Sequence, residues 1–265
     1  MLDAFFNVLW QQYSAITPQA EKIRELFLSQ RENLVNDHVA FRTFANSVID
    51  LDHLQEAVLS MGFRPFDEYK FEQKKLRARS YVHPEHESKL FVSELEWRRL
   101  PDSVQPIIEN YLSQLSNVPQ GSAVLSAGRL WQMPSYTDYQ ALQQASEYAA
   151  WLSVWGLRAN HFTLHVNHMH VYDSLAKVVN FLQSNHVELN PEGGLIKGEE
   201  SDLLIQASTM ADQVPVVFPD AGEQQIASCY YEFAQRFSDK NGVLYQGFVP
   251  NNADKIFEST HSRKG

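Results

Sequence analysis

Apolar and polar residues alternate along Asn36-Asp37-His38-Val39-Ala40-Phe41-Arg42-Thr43-Phe44 and again along Asn160-His161-Phe162-Thr163-Leu164-His165-Val166. Alternation of this kind predicts strands, whose successive side chains point to opposite faces of a sheet. His38, Ala40 and Arg42 then share one face of the first strand, and His161, Thr163 and His165 share one face of the second. A third stretch, Cys229 to Arg236, places Glu232 and Arg236 together in the same way.

Around the first strand the pattern predicts β-α-β-β-β over residues 36–97. A helix opens at Asp50 or Asp52, turns Leu51, Leu54, Val58 and Leu59 inward, and stops at Gly62. Strands are expected near 63–71, 76–83 and 89–96. The same order returns over 159–238, with a helix capped by Asp173 and strands near 195–199, 202–208 and 227–237. Helical spacing of Leu2, Phe5, Phe6, Leu9, Trp10 and Tyr13, then of Ile23, Leu26 and Phe27 after Pro18, predicts two N-terminal helices within 1–30 that cover a sheet. Residues 101–158 are expected to be helical and to separate the two modules. One helix carries Ile107, Ile108, Tyr111, Leu112 and Leu115; another runs from Thr137 to Trp155 and ends at Gly156, with Trp151 and Trp155 in the core. Residues 239–265 form a tail with no clear period. The expected fold class is α+β, as one domain over 1–265 built from two βαβββ modules with N-terminal and inter-module helices.

A chain of 265 residues with 44% hydrophobic content can bury a full core. Its formal charge of −10 argues against nucleic acid as a partner, so an acidic ligand would need a local cluster of cations. The single cysteine, Cys229, excludes an internal disulfide and a thiolate-rich metal site, and is expected to be a small buried hydrophobe. Asp3 comes early, no basic region precedes the apolar residues, and no run is long enough to span a bilayer. The expectation is a cytoplasmic protein with no membrane partner; its oligomeric state is left open.

Two histidines and one carboxylate from three separate strands, His38, His161 and Glu232, are the ligand set of a non-haem iron(II) site. The same ligands can also hold zinc, manganese or nickel. The alternative is an ion pair of Glu232 with Arg236 on a solvated face. The run His161, His165, His168, His170 suggests zinc, but residues four apart on a strand are separated by roughly 13 Å. His168 and His170 are expected where a loop begins. Arg42, on the face of His38, is the first candidate to grip a carboxylate, in the two-pronged way open to a guanidinium. Its alternative role is a structural salt bridge, for instance to Glu94. Arg79 and Arg129 are weaker candidates for substrate binding, and Glu94 for a fourth metal ligand.

Paired β-α-β-β-β modules resemble the vicinal-oxygen-chelate superfamily, which curls them into a half-open barrel around a metal. Asp37 through Phe44, Ser146-Glu147-Tyr148 through Trp151, Asn160-His161-Phe162-Thr163 and Tyr231 through Arg236 together resemble the 2-oxoadipate dioxygenase/decarboxylase family. That resemblance implies an Fe(II) site of His38, His161 and Glu232, with Arg42 as the catalytic and substrate-gripping arginine. It implies conversion of 2-oxoadipate and dioxygen to 2-hydroxyglutarate and carbon dioxide, a step of lysine catabolism. The competing expectations are a non-oxidative metal-dependent lyase, isomerase or hydrolase on the same barrel, and a small-acid binding protein.

Overall fold

A computed structural model describes residues 2–260. Met1 and residues 261–265 of the expected tail lie outside the described residues. Helices α1 (Leu2–Ser14) and α2 (Pro18–Ser29) form as expected. They bury Phe6, Leu9 and Tyr13, and Ala20, Ile23 and Phe27, along one stripe each. Full burial of one such large side chain contributes about 1.5–3 kcal/mol. Tyr13 also donates from its hydroxyl to the carbonyl of Tyr230 at 2.6 Å, which ties α1 to the sheet beneath it.

The first module follows the sequence closely, except that Leu59, expected inward, is exposed and Ala57 takes its place in the buried stripe of the helix. It consists of β1 (Asn36–Phe44), α3 (Leu51–Ser60), β2 (Arg64–Phe71), β3 (Leu76–His83) and β4 (His86–Leu95). Asp50 caps α3 by accepting from the backbone N–H groups of Asp52 and His53. The inter-module region departs from expectation. It contains α4 (Gln105–Ser113) and two further helices, α5 (Tyr136–Ala145) and α6 (Glu147–Trp155), in place of one unbroken helix. Ser146 is extended (φ −166°, ψ 110°), and its hydroxyl accepts from the Ala149 N–H, so a capping serine splits the apolar run. Trp151 and Trp155 are core residues as expected. Their indole N–H groups reach the carbonyls of Ser228 and Ala227 at 2.5 and 2.9 Å.

The second module has β5 (Ala159–His165), α7 (Leu175–Ser184), β6 (Leu204–Ser208) and, after an inserted hairpin, its last strand. The hairpin strands are β7 (Gln213–Phe218) and β8 (Gly222–Ala227), and the last strand is β9 (Tyr230–Arg236). Ser174, rather than Asp173, caps α7; Asp173 instead pairs with Lys177 at 2.8 Å. Residues 195–199 are not a strand. Gly193, Gly194 and Gly198 all have positive φ, and only an isolated bridge, Lys197 to Gln206, survives.

Seven strands form one sheet in the order β2-β3-β4-β1-β5-β9-β6. β1 and β5 meet antiparallel at its centre, with β4 parallel to β1 and β9 parallel to β5. That is the paired-module, half-open barrel of the vicinal-oxygen-chelate type. β1, β5 and β9 are buried on both faces, as flanked central strands must be. The tail is more ordered than its sequence suggests. α8 (Pro250–Ile256) packs against both β2 and β6, the two edge strands, and so spans the open side of the barrel.

Gly156 makes the turn from α6 into β5. Its φ is +67°, and a Cβ there would run into the Arg129 Cα and the Gly128 carbonyl oxygen. Gly156→Ala is therefore expected to cost about 2–3 kcal/mol, from a positive φ and an overpacked turn together. Thermal unfolding followed by circular dichroism checks this; an unchanged midpoint would contradict it.

Candidate metal centre

Strand register brings the three candidate ligands together. His38 lies opposite Thr163 across β1 and β5, and Thr163 lies beside Glu232 across β5 and β9. His161, two residues before Thr163, points to the same concave face. Glu232 Oε1 is 3.7 Å from His38 Nε2, and Oε2 is 3.3 Å from His161 Nε2. One ligand atom from each residue lies within 4.8 Å of the other two. A metal with bonds of about 2.0–2.2 Å fits between atoms so spaced, after small side-chain adjustments. His38, His161 and Glu232 are 2%, 4% and 1% exposed, so the site is enclosed.

Each histidine is oriented by the residue just before it. Asp37 Oδ1 lies 2.7 Å from His38 Nδ1, and Asn160 Oδ1 lies 3.1 Å from His161 Nδ1. A carboxylate and an amide oxygen can only accept, so the proton is assigned to Nδ1 of each ring and the Nε2 lone pair faces the centre. A bulge in β1 between Asn36 and His38 lets Asp37 take this position. Asp37 is clamped in turn by Arg236, whose Nε and Nη2 donate to its two oxygens at 2.6 and 2.8 Å. Gln206 Nε2 donates to Glu232 Oε1 at 2.6 Å, and the Thr163 hydroxyl donates to His38 Nε2 at 3.1 Å.

Burial shapes the charge state of this set. It pushes the Glu232 carboxyl up to about 8, against the donation from Gln206 that favours the carboxylate. Burial also lowers His38, opposed by Asp37, and lowers His161 further, with the charges of His38 and Arg42 adding to the effect. Three enclosed groups that resist charge of their own are ready-made for a cation, which would hold the carboxylate ionised and both imidazoles neutral. The donor set of two nitrogens and one carboxylate fits a divalent transition metal.

The remaining sequence candidates divide. Arg42 is buried on the same face, with Nη1 donating to Glu147 at 3.3 Å and Nη2 to Thr260 at 3.1 Å; its Nε has no partner. It lies over the rings of Tyr148, Trp151 and Phe257. The salt bridge weighed for it is thus with Glu147, not Glu94. The structure does not bring Arg79 or Arg129 to the site. Arg79 points away from the concave face to Asp52 and Glu68, and Arg129 donates to the carbonyls of Trp131 and Val154. Glu94 cannot be a fourth ligand: it is one residue out of phase with the inner face of β4, where it accepts from the Leu51 N–H and from Arg77. Nor is Glu232 paired with Arg236, which Asp37 occupies. His165 Nε2 sits 3.5 Å from Asp37, His168 pairs with Glu87 at 2.5 Å, and the His170 backbone donates to Glu32, so none of the three joins His161. Sequence reading missed Asp37, Asn160 and Gln206. The first two were legible as an oxygen acceptor immediately before each ligand histidine; Gln206 arrives through strand pairing alone.

Two outcomes follow from this geometry. Asp37→Asn is expected to weaken binding of a divalent metal by roughly 10- to 100-fold, measured by competition with a chromophoric chelator. Stability of metal-free protein should also depend on pH. The folded-state pKa of Glu232, about 8, lies above its ordinary 4.5, so its contribution is full below 4.5 and is lost as pH rises toward 8. His38 and His161, lowered from 6.5, work the other way and only below that value. Between roughly pH 6.5 and 8 the metal-free protein should therefore lose stability, and Glu232→Gln should flatten that slope in urea titrations.

The family model described as 2-oxoadipate dioxygenase/decarboxylase matches residues 5–242. A curated relative, the chloroplastic/amyloplastic 2-oxoadipate dioxygenase/decarboxylase of Oryza sativa subsp. japonica, is 35% identical over 97% of this chain and 79% of its own length. Among solved structures, the hydroxyglutarate synthase of Oryza sativa in complex with 2-oxoadipate superposes with a TM-score of 0.89 at 31% identity, over 97% of this chain and 91% of that one. A Shewanella frigidimarina protein, described provisionally as a hydrolase, superposes with a TM-score of 0.88 at 39% identity, over 94% of this chain and 98% of that one. With the family model matched over residues 5–242 and a named relative 35% identical over 97% of this chain, the chain belongs to the 2-oxoadipate dioxygenase/decarboxylase family.

Proposed function

We propose that this chain is an Fe(II)-dependent dioxygenase and decarboxylase that converts a 2-oxo dicarboxylic acid of the 2-oxoadipate type, with dioxygen, to a 2-hydroxy acid and carbon dioxide. For 2-oxoadipate the products are 2-hydroxyglutarate and carbon dioxide, and the step would belong to lysine catabolism. The observation that carries this reading is the enclosed set of His38, His161 and Glu232 on one concave face, in a chain of this family. Iron bound there would supply open coordination positions and the electrons needed for dioxygen to react with a 2-oxo acid.

The chain's own residues do the rest. Asp37 and Asn160 hold the two imidazoles in the tautomer that ligates, and Gln206 fixes one oxygen of Glu232. Aromatic rings exclude water around them. Phe248 lies edge-on to His38 at 4.7 Å and against Phe91 at 4.9 Å, and Tyr230 stacks on His161 at 4.6 Å. A dry site strengthens every charge interaction with the substrate and prevents loss of a reactive species to solvent. Arg42 supplies a fixed positive charge on the same face, with Nε–H still available to donate, which supports an acidic substrate over a neutral one.

Oxygen uptake by anaerobically iron-loaded protein, offered 2-oxo acids headed by 2-oxoadipate, tests this. The expected result is one carbon dioxide released per dioxygen consumed, with both lost in His38→Ala. Absence of uptake with every acid, from protein holding one metal per chain, would refute the dioxygenase and leave a non-oxidative metalloenzyme or a binding protein on the same barrel.

A further inference from the structure

Lys197 is a buried cation on the wall of this same site. Its backbone pairs with Gln206 through two hydrogen bonds, Lys197 N–H to the Gln206 carbonyl at 2.7 Å and Gln206 N–H to the Lys197 carbonyl at 3.0 Å. Residues paired in this antiparallel way send their side chains to the same side. Gln206 sends its amide to Glu232, so Lys197 also faces the interior, and it is 0% exposed.

An ammonium carries three donors, yet among the described residues Lys197 makes one hydrogen bond, from Nζ to the Asn190 carbonyl at 2.6 Å, and no ion pair. The other buried cations of the barrel interior are better matched: Arg236 faces Asp37, and Arg42 faces Glu147. Lys89 lacks a direct ion pair too, but the buried carboxylate of Asp37, which is no metal ligand, acts on it. The buried carboxylate that acts on Lys197 is Glu232, which a bound metal would claim; the other carboxylate that acts on it, Glu192, is exposed to solvent and acts less strongly. Burial lowers Lys197 to about 8, so it remains cationic at neutral pH. A buried charge left without a counter-ion is costly, and an anion entering the site would relieve it.

The surroundings of Lys197 are polar and continuous with those of Arg42. Asn190 donates from Nδ2 to Ser259 Oγ at 2.9 Å, and Ser259 shares a 2.8 Å hydrogen bond with Ser208, the register partner of Glu232. Thr260, the next residue, is the partner of Arg42. One C-terminal turn thus joins the two cations.

We infer that Lys197 receives the substrate carboxylate remote from the 2-oxo group and so selects dicarboxylic over monocarboxylic 2-oxo acids. The inference rests on the function proposed above, in which the 2-oxo and adjoining carboxylate oxygens face the metal. Both Nη groups of Arg42 are engaged and one donor, Nε–H, is left to it, whereas two donors of Lys197 are free.

Calorimetric titration of zinc-loaded protein, which binds without turnover, with 2-oxoadipate and with 2-oxohexanoate tests the assignment. The two acids have equal chain length and differ in the terminal carboxylate. Wild type should prefer 2-oxoadipate. Lys197→Met should weaken that acid by about tenfold to a hundredfold, the range for a hydrogen bond to a charged group, and leave 2-oxohexanoate nearly unchanged. Lys197→Arg should keep most of the preference. Zinc content and thermal midpoint are measured alongside; if Lys197→Met does not fold, Lys197→Gln carries the same comparison. Equal weakening of both acids, or of neither, overturns the assignment. Wild type that binds neither acid would instead defeat the proposed function itself.

Discussion

The ion pair between Asp37 and Arg236 holds this site together. Asp37 precedes His38 on β1, and Arg236 follows Glu232 by four residues on β9, so one forked pair couples the strands that carry two of the three ligands. The spare nitrogen of Arg236 donates to the carbonyls of Tyr245 and Gly247, which anchors the tail where Phe248 enters the barrel. Both partners are fully buried. Removing either would leave an uncompensated charge, a loss of about 3–5 kcal/mol for a pair of this kind. The pair thus serves the fold and the candidate centre at once: Asp37 gives one oxygen to the imidazole of His38, a candidate metal ligand, and both to the guanidinium that fixes the strands.

The same economy appears around the rest of the centre. Each candidate ligand has a partner that sets its direction: Asp37 for His38, Asn160 for His161 and Gln206 for Glu232. None of these partners is charged opposite to the metal except Asp37, and Arg236 already balances that charge. Arg42, beside the centre, is matched by Glu147, whereas Lys197 makes one hydrogen bond, to the Asn190 carbonyl. α8 packs against both edge strands, and the turn after it carries Ser259 and Thr260, so the polar groups beside Arg42 and Asn190 belong to the same continuous structure as the strands of the candidate centre.

How much of this was legible can be judged residue by residue. Period-two alternation placed His38, Ala40 and Arg42 on one face because a strand admits only two faces, and β1 follows that pattern. Helix α3 was legible for a similar reason: Asp50 before an apolar stripe and Gly62 after it act locally. Ser146 hid inside a helical run, since its hydroxyl competes with the ladder only when the chain extends at that point. The segment 195–199 read as a strand by composition, yet glycines at positive φ break it.

The sequence by itself determined the strands of the first module and the faces of β1, β5 and β9, because those depend on neighbours within a few bonds; it also carried, unread, the acceptor one position before each candidate ligand histidine. Its motifs together also pointed to the family. Tertiary structure decided the rest. Glu94, Arg79 and Arg129 have the chemistry for the site but face other partners, and no local pattern reports a partner far away in sequence. Gln206 enters through the pairing of β6 with β9, Lys197 through a single bridge to Gln206, and Phe248 through a tail without period. Their roles come from the curling of a seven-stranded sheet, which brings distant residues together and removes the water that would otherwise mask their charges.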